Sequence, residues 1–97
     1  MNNFIVCGRI ASFEEQEDDS LILTCAVPRS YKNADGTYDT DFIRVRVTGN
    51  MAETSKEYLK KGDMIGIKGA IDLHDNKPLL AAQKVTFLSS TKKGDDE

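Results

Sequence analysis

The chain has 97 residues, 39% of them hydrophobic and 30% charged, and a formal net charge of −3. That length supports one domain with a single modest core, and no apolar run approaches the roughly 18 residues a membrane-spanning helix requires. The start, "MNNFIVCGRI", carries neither a basic leader nor a cleavage site, so a cytoplasmic setting is expected.

"FIVCGRI" (4–10) is a first strand, rich in apolar and β-branched residues. Phe4, Ile5, Val6 and Cys7 are consecutive, so both of its faces are apolar and one of them needs a cover. The run "EEQEDD", from Glu14 to Asp19, places five acids in six residues and reads as a solvated loop. Three more acids, Asp95, Asp96 and Glu97, close the chain; without these eight, eight acids remain against thirteen Lys and Arg. The acidic total therefore covers a basic body, and low net charge does not argue against a nucleic-acid partner. "LILTCAVPR" (21–29) is a second strand. Cys7 and Cys25 lie inside these two apolar runs with no CxxC spacing, which predicts buried free thiols rather than a metal or redox pair.

"SYKNADGTYDT" connects to the third strand through a long flexible hairpin with Asp35-Gly36 at its tip. In "TDFIRVRVTGN" (40–50) side chains alternate with a period of two. Ile43, Val45 and Val47 point to a core, while Phe42, Arg44, Arg46 and Thr48 point the other way. Two arginines alone would suit a wet sheet face. A large aromatic in phase with them suits a surface on which bases stack while phosphates are neutralised beside them. Asn50 followed by Glu53 has the spacing of a capping box and predicts a helix to about Lys61, stopped by Gly62. Its short apolar face, Ala52, Ser55 and Leu59, suits a plug on a sheet. "MIGIKGAIDL" (64–73) is a fourth strand with Ile65, Ile67 and Ile71 in phase, and Gly66 and Gly69 allow it to bend. The tight turn "HDNK" leads to a fifth strand, "PLLAAQKVTFL" (78–88). A domain over 1–89 followed by a short disordered acidic tail over 90–97 is expected.

Three strands, a helix and two further strands is the order of an all-β, five-stranded oligonucleotide/oligosaccharide-binding (OB) barrel, with one α-helix between strands three and four. In that fold single strands bind across the outer face of strands two and three. Phe42, Arg44 and Arg46 belong to that face.

The chain resembles the bacterial and phage single-stranded DNA-binding proteins over about residues 2 to 88, through "NNFIVCGRI", "TDFIRVRVTGNMAE" and above all "SKEYLKKGDMIGIKGAI". The resemblance implies a largely sequence-independent single-stranded DNA-binding protein acting in replication, recombination and repair. By position, Phe42 and Tyr31 match base-stacking aromatics, and Arg44 and Lys61 match basic positions. It also implies pairing through the first strand and a homotetramer, with a dimer as the alternative. Three features depart from the family: there is no Trp, Thr48 stands where a third aromatic is frequent, and the turn from His74 to Lys77 is shorter than the usual DNA-wrapping hairpin. A smaller footprint or weaker binding follows. The end "GDDE" retains the acid but not the hydrophobic tip by which the family recruits replication and repair proteins.

The candidate DNA-binding residues are Tyr31, Tyr38 and Phe42 as stacking platforms and Arg29, Lys32, Arg44, Arg46, Lys61 and Lys77 as the phosphate track, with Arg9 in addition. Such platforms accept RNA as well as DNA. Catalysis, a metal and a cofactor are not expected: the single histidine, His74, falls in an exposed turn with no nucleophile placed beside it. Two other readings share the barrel: a replication-restart accessory of the primosome, and a protein-interaction module of a phage or mobile element.

Overall fold

Five strand segments that each carry an apolar face at a period of two have five half-faces to bury, and a sheet closed on itself buries them in one interior without leaving an edge. The computed structural model describes residues 1–90 and adopts this solution. Its elements are β1 (Phe4–Glu15), β2 (Leu21–Pro28), β3 (Thr40–Val47), α1 (Gly49–Tyr58), β4 (Met64–His74) and β5 (Lys77–Ser89). The strands form a closed barrel in the order β1-β2-β3-β5-β4. All neighbours are antiparallel except β3 and β5, which close the barrel in parallel at Val45–Leu80 and Arg46–Ala81. With its helix between β3 and β4, this is the expected OB barrel. The expected acidic tail lies almost wholly outside the described residues.

The core follows the period of two. Leu21, Leu23 and Cys25 of β2, Val45 and Val47 of β3, and Ile65 and Ile67 of β4 are fully buried with Ile10 and with Ala52 of α1. Burial pushes the Cys25 thiol up to about 11. Cys7, expected inside, is exposed, because its phase on β1 turns it outward opposite Gly66. Ile71 keeps the phase of Ile65 and Ile67 but is 41% exposed, since the β4–β5 hairpin has by then run past the barrel interior.

Two other local expectations need correction. The helix is capped by Thr48 in extended conformation without a side-chain cap bond, and Asn50 lies within the helix, so the Asn50–Glu53 box does not form. Gly49, at φ +64°, turns the chain from β3 into α1. The helix ends at Tyr58, three residues before Lys61, and the chain returns to β1 through Gly62 N–H to the Ile10 carbonyl (2.8 Å) and Ile10 N–H to the Asp63 carbonyl (2.9 Å).

Strand β1 is also longer than expected, reaching Glu15. A register shift between Ile10 and Ser12 leaves one extra β1 residue there, and this bulge brings Glu14 opposite Ile22. Of the two glycines expected to let β4 bend, Gly69 meets the requirement. A Cβ there would collide with the Ala81 carbonyl and sit 2.7 Å from the Phe4 ring, where β5 also shifts register. At Gly66 a Cβ would meet only the Cys7 sulfur at 3.6 Å and a Leu88 methyl at 3.8 Å.

Gly69→Ala is expected to lower the melting temperature sharply, while Gly66→Ala is neutral or slightly stabilising through the unfolded chain. Val45→Ala removes fully buried methyl groups and should cost roughly 2 kcal/mol in denaturant titrations.

Candidate nucleic-acid interface

The register between β2 and β3 builds the outer face. Ala26 pairs with Phe42, Thr24 with Arg44 and Ile22 with Arg46, so each long β3 side chain stands beside a shorter neighbour on β2. Phe42 is 65% exposed, although Val45 and Val47 on the same strand are fully buried. The strand phase read from the alternation is the one observed. An exposed phenyl ring in line with two guanidinium groups offers a flat apolar surface beside fixed positive charge.

Acids occupy part of that charge. The Arg44 Nη2 lies 2.6 Å from Glu14 Oε1, and the Arg46 Nη2 lies 2.5 Å from Asp18 Oδ2. A third carboxylate of the same run, Glu15, sits 3.8 Å from the Lys56 ammonium on α1. The run "EEQEDD" is thus partly strand and partly a turn folded onto the arginines, and it does not stand apart as a separate acidic pole. Within the turn, Asp18 Oδ1 accepts hydrogen bonds from the Ser20 hydroxyl (2.6 Å) and the Ser20 N–H (3.1 Å). These bonds, with Arg46 nearby, hold the Asp18 carboxyl below the usual aspartate range.

At the opposite end of the face, the connection between β2 and β3 is closed by its own hydrogen bonds. Asn33 N–H donates to the Thr37 carbonyl (2.7 Å), and the Thr37 hydroxyl and N–H both donate to Asp35 Oδ1, which holds the Asp35 carboxyl below its ordinary value. Arg29 clamps the base of this loop. Its guanidinium faces Asp41 at 3.2 Å and Asp39 at 3.7 Å, and its pairing with Asp41 raises its already high pKa further. Arg29 Nη1 also reaches the Tyr31 hydroxyl at 3.4 Å, which ties Tyr31 to the residue preceding Phe42. Tyr31 is 62% exposed and Tyr38 50% exposed, so all three aromatic candidates present ring surface at one end of β2 and β3.

The remaining candidates are distributed around this face. Arg9, on β1, is level with Ala26 of β2 and donates to the carbonyl of Gly62 at 2.9 Å, the residue that follows the exposed Lys61. Lys32 lies within the β2–β3 loop. Lys77 opens β5 opposite His74, across a turn in which Asp75 and Asn76 both take left-handed φ. His74 and Leu79 share a cleft with Asp18 and Arg46, so this hairpin borders the arginine end of the face. Thr48 serves as the helix cap.

Sequence reading missed the residues opposite the cations: Glu14, Asp18, Asp39 and Asp41. For Asp39 and Asp41 the signal was present, since they stand across the β2–β3 connection from Arg29. Glu14 and Asp18 reach Arg44 and Arg46 across the intervening β2, and the placement of Glu14 depends on the β1 bulge. Lys68 and Lys84 were also passed over; they pair directly across β4 and β5, where Ile5 faces Lys68 from β1. Among the described residues, no group of three or more His, Cys, Asp or Glu is arranged to hold a metal ion, and no helix is long and apolar enough to cross a membrane.

Comparison with known proteins agrees with this geometry. The single-stranded DNA-binding protein 1 of Clostridium acetobutylicum is 30% identical, over 95% of this chain and 97% of its own length. The single-stranded DNA-binding protein 2 of Staphylococcus aureus is 43% identical over 79% of this chain, which spans 60% of that longer relative. Among solved structures, a small single-stranded DNA binding protein from Mycoplasma pneumoniae superposes with a TM-score of 0.72 at 20% identity, over 88% of this chain and 91% of that one. The mitochondrial single-stranded DNA binding protein of S. cerevisiae gives 0.71 at 21% identity, over 91% and 94%. These two share the barrel. The sequence pattern of the Single-strand binding protein family matches residues 1–86, from the first strand almost to the end of the last, and the chain belongs to that family.

Proposed function

We propose that this protein binds single-stranded DNA with little regard to sequence, across the outer face of β2 and β3, and so covers single strands exposed in replication, recombination and repair. The observation that carries the reading is Phe42: a large aromatic standing exposed in phase with Arg44 and Arg46 on a strand whose alternate residues are fully buried. Stacking on a ring accepts any base, and a guanidinium accepts any phosphate, so the surface discriminates strandedness more than sequence. A duplex keeps its bases stacked on one another and can offer only its phosphates. Tyr31 and Tyr38 extend the stacking surface, and Lys32, Lys61, Lys77, Arg9 and Arg29 border the path of the strand. RNA can use the same platforms, and the activity is binding without a chemical step.

A homo-oligomer accompanies this reading. The outward face of β1 presents Ile5, 75% exposed, and the exposed Cys7, next to β4. The family resemblance implies pairing through the first strand, and a second copy of the chain would cover that apolar surface. We infer a homotetramer built from such pairs.

Three measurements test these statements. Phe42→Ala should leave the melting temperature nearly unchanged and weaken binding to fluorescent oligo-dT by about 1–3 kcal/mol at fixed salt. Loss of stability with unchanged binding by the folded fraction would place the strand elsewhere. The logarithm of the affinity should fall linearly with the logarithm of salt, equally for dT and mixed sequences, and Arg44→Gln and Arg46→Gln should each flatten the slope by up to about 0.7. No binding at low salt would favour a protein-interaction barrel. Light scattering should give the mass of four chains at micromolar concentration, and the mass of one chain would remove the oligomer.

A further inference from the structure

We propose that the β1–β2 hairpin is an internal competitor for the phosphate track: Glu14 and Asp18 occupy Arg44 and Arg46 in the free protein, and DNA phosphates must displace them to bind. The inference rests on the proposed DNA-binding face and adds to it a device that sets affinity and salt response.

The geometry comes from tertiary structure. Glu14 and Arg44 are 30 residues apart in sequence and Asp18 and Arg46 are 28 apart, yet the pairs close at 2.6 Å and 2.5 Å. Register explains the proximity: Glu14 shares a row across β2 with Arg46, through Ile22, and reaches diagonally to Arg44 in the adjacent outward row of Ser12 and Thr24, while Asp18, beyond the end of β1, takes Arg46. Without the β1 bulge Glu14 would shift by one position and point elsewhere.

A carboxylate and a phosphate present the same kind of oxygen to a guanidinium, and one N–H group cannot make its best bond to both at once. Asp18 is well prepared for this role. Its Oδ1 is engaged by the Ser20 hydroxyl and N–H, which keeps it ionised and leaves Oδ2 directed at Arg46. Ser20 is itself only 2% exposed, so the turn is anchored in the barrel wall. Glu15 adds a second hold through Lys56.

These pairs are nevertheless exposed, with side-chain accessibilities of 64% and 60% for Arg44 and Glu14 and of 33% and 58% for Arg46 and Asp18. Exposed pairs contribute little and exchange readily. DNA can therefore take the arginines, but the freed carboxylates remain beside the phosphates and regain a share of solution cations. The net ion release on binding is then smaller than for a bare track of the same size, and the salt dependence is shallower.

The test uses Glu14→Gln, Asp18→Asn and the double variant of the full chain, with fluorescent oligo-dT titrated by anisotropy at several NaCl concentrations. Asparagine retains the Oδ1 acceptor for Ser20, so the turn is preserved. Each single variant should bind about 2- to 5-fold tighter at low salt and the double about 5- to 20-fold tighter, with the gain shrinking as salt rises. The salt slope of the double should be steeper than that of the wild type by up to about 0.7 per arginine released. Unchanged or weaker binding in variants that melt like the wild type would overturn the proposal, because the carboxylates would then be neutral bystanders or would be orienting the arginines for phosphate. Should Asp18→Asn lower the melting temperature, Glu14→Gln decides alone, since Glu14 lies outside the turn. The DNA-binding reading has its own control: a wild type that does not bind oligo-dT, or binding that survives Arg44→Gln with Arg46→Gln, refutes the face itself rather than the competition.

Discussion

The two faces of β3 depend on a single constraint, the pairing of β2 with β3 from Leu21–Val47 to Pro28–Thr40. This register places Leu21, Leu23 and Cys25 inward beside Val47, Val45 and Ile43, and leaves Ile22, Thr24 and Ala26 outward beside Arg46, Arg44 and Phe42. A slip of one residue would exchange core for surface on the whole strand, burying two guanidinium groups and exposing two valines. The short parallel contact of β3 with β5 then closes the barrel and keeps β3 from being an edge. The outward face can consequently carry an exposed aromatic and two cations, because the hydrophobic energy that secures the strand is gained entirely on its other side.

The electrostatics of that face follow from chain geometry more than from composition. A count of residues separates an acidic loop and tail from a basic remainder. The fold folds the loop acids back onto the cations: Glu14 to Arg44, Asp18 to Arg46, Glu15 to Lys56, and, at the other end, Asp39 and Asp41 to Arg29. Each exposed pair is weak by itself. Together they make the field over the β2–β3 face much less positive than its arginine content suggests. On the proposed binding face, affinity for a polyanion would depend on how readily these carboxylates give way, while the aromatic rings would contribute a term that charge does not touch. The departures from the family pattern fit the same frame. Thr48 caps α1 and so contributes to the turn out of β3, and the two-residue Asp75-Asn76 turn keeps the β4–β5 hairpin close to the arginine end of the face.

Much of this was legible in the amino-acid order. The alternation in "TDFIRVRV" determined the phase of β3, and with it the separation of Val45 and Val47 from Phe42, Arg44 and Arg46, because backbone geometry leaves a strand only two directions for its side chains. Five apolar segments and one short helix determined the OB barrel and the placement of exposed aromatic and basic residues on its outer face. Tertiary structure alone decided what meets those residues. Contacts between Glu14 and Arg44, or Asp18 and Arg46, join segments about thirty residues apart across strands whose alignment is set by a one-residue bulge. The same is true of Cys7, apolar in its neighbours yet outward in its phase, and of Gly69, whose missing side chain is required by the approach of Ala81 from another strand. Local sequence carries periodicity and turn chemistry, but register is a property of two strands together, and on this protein register determines which charges cancel.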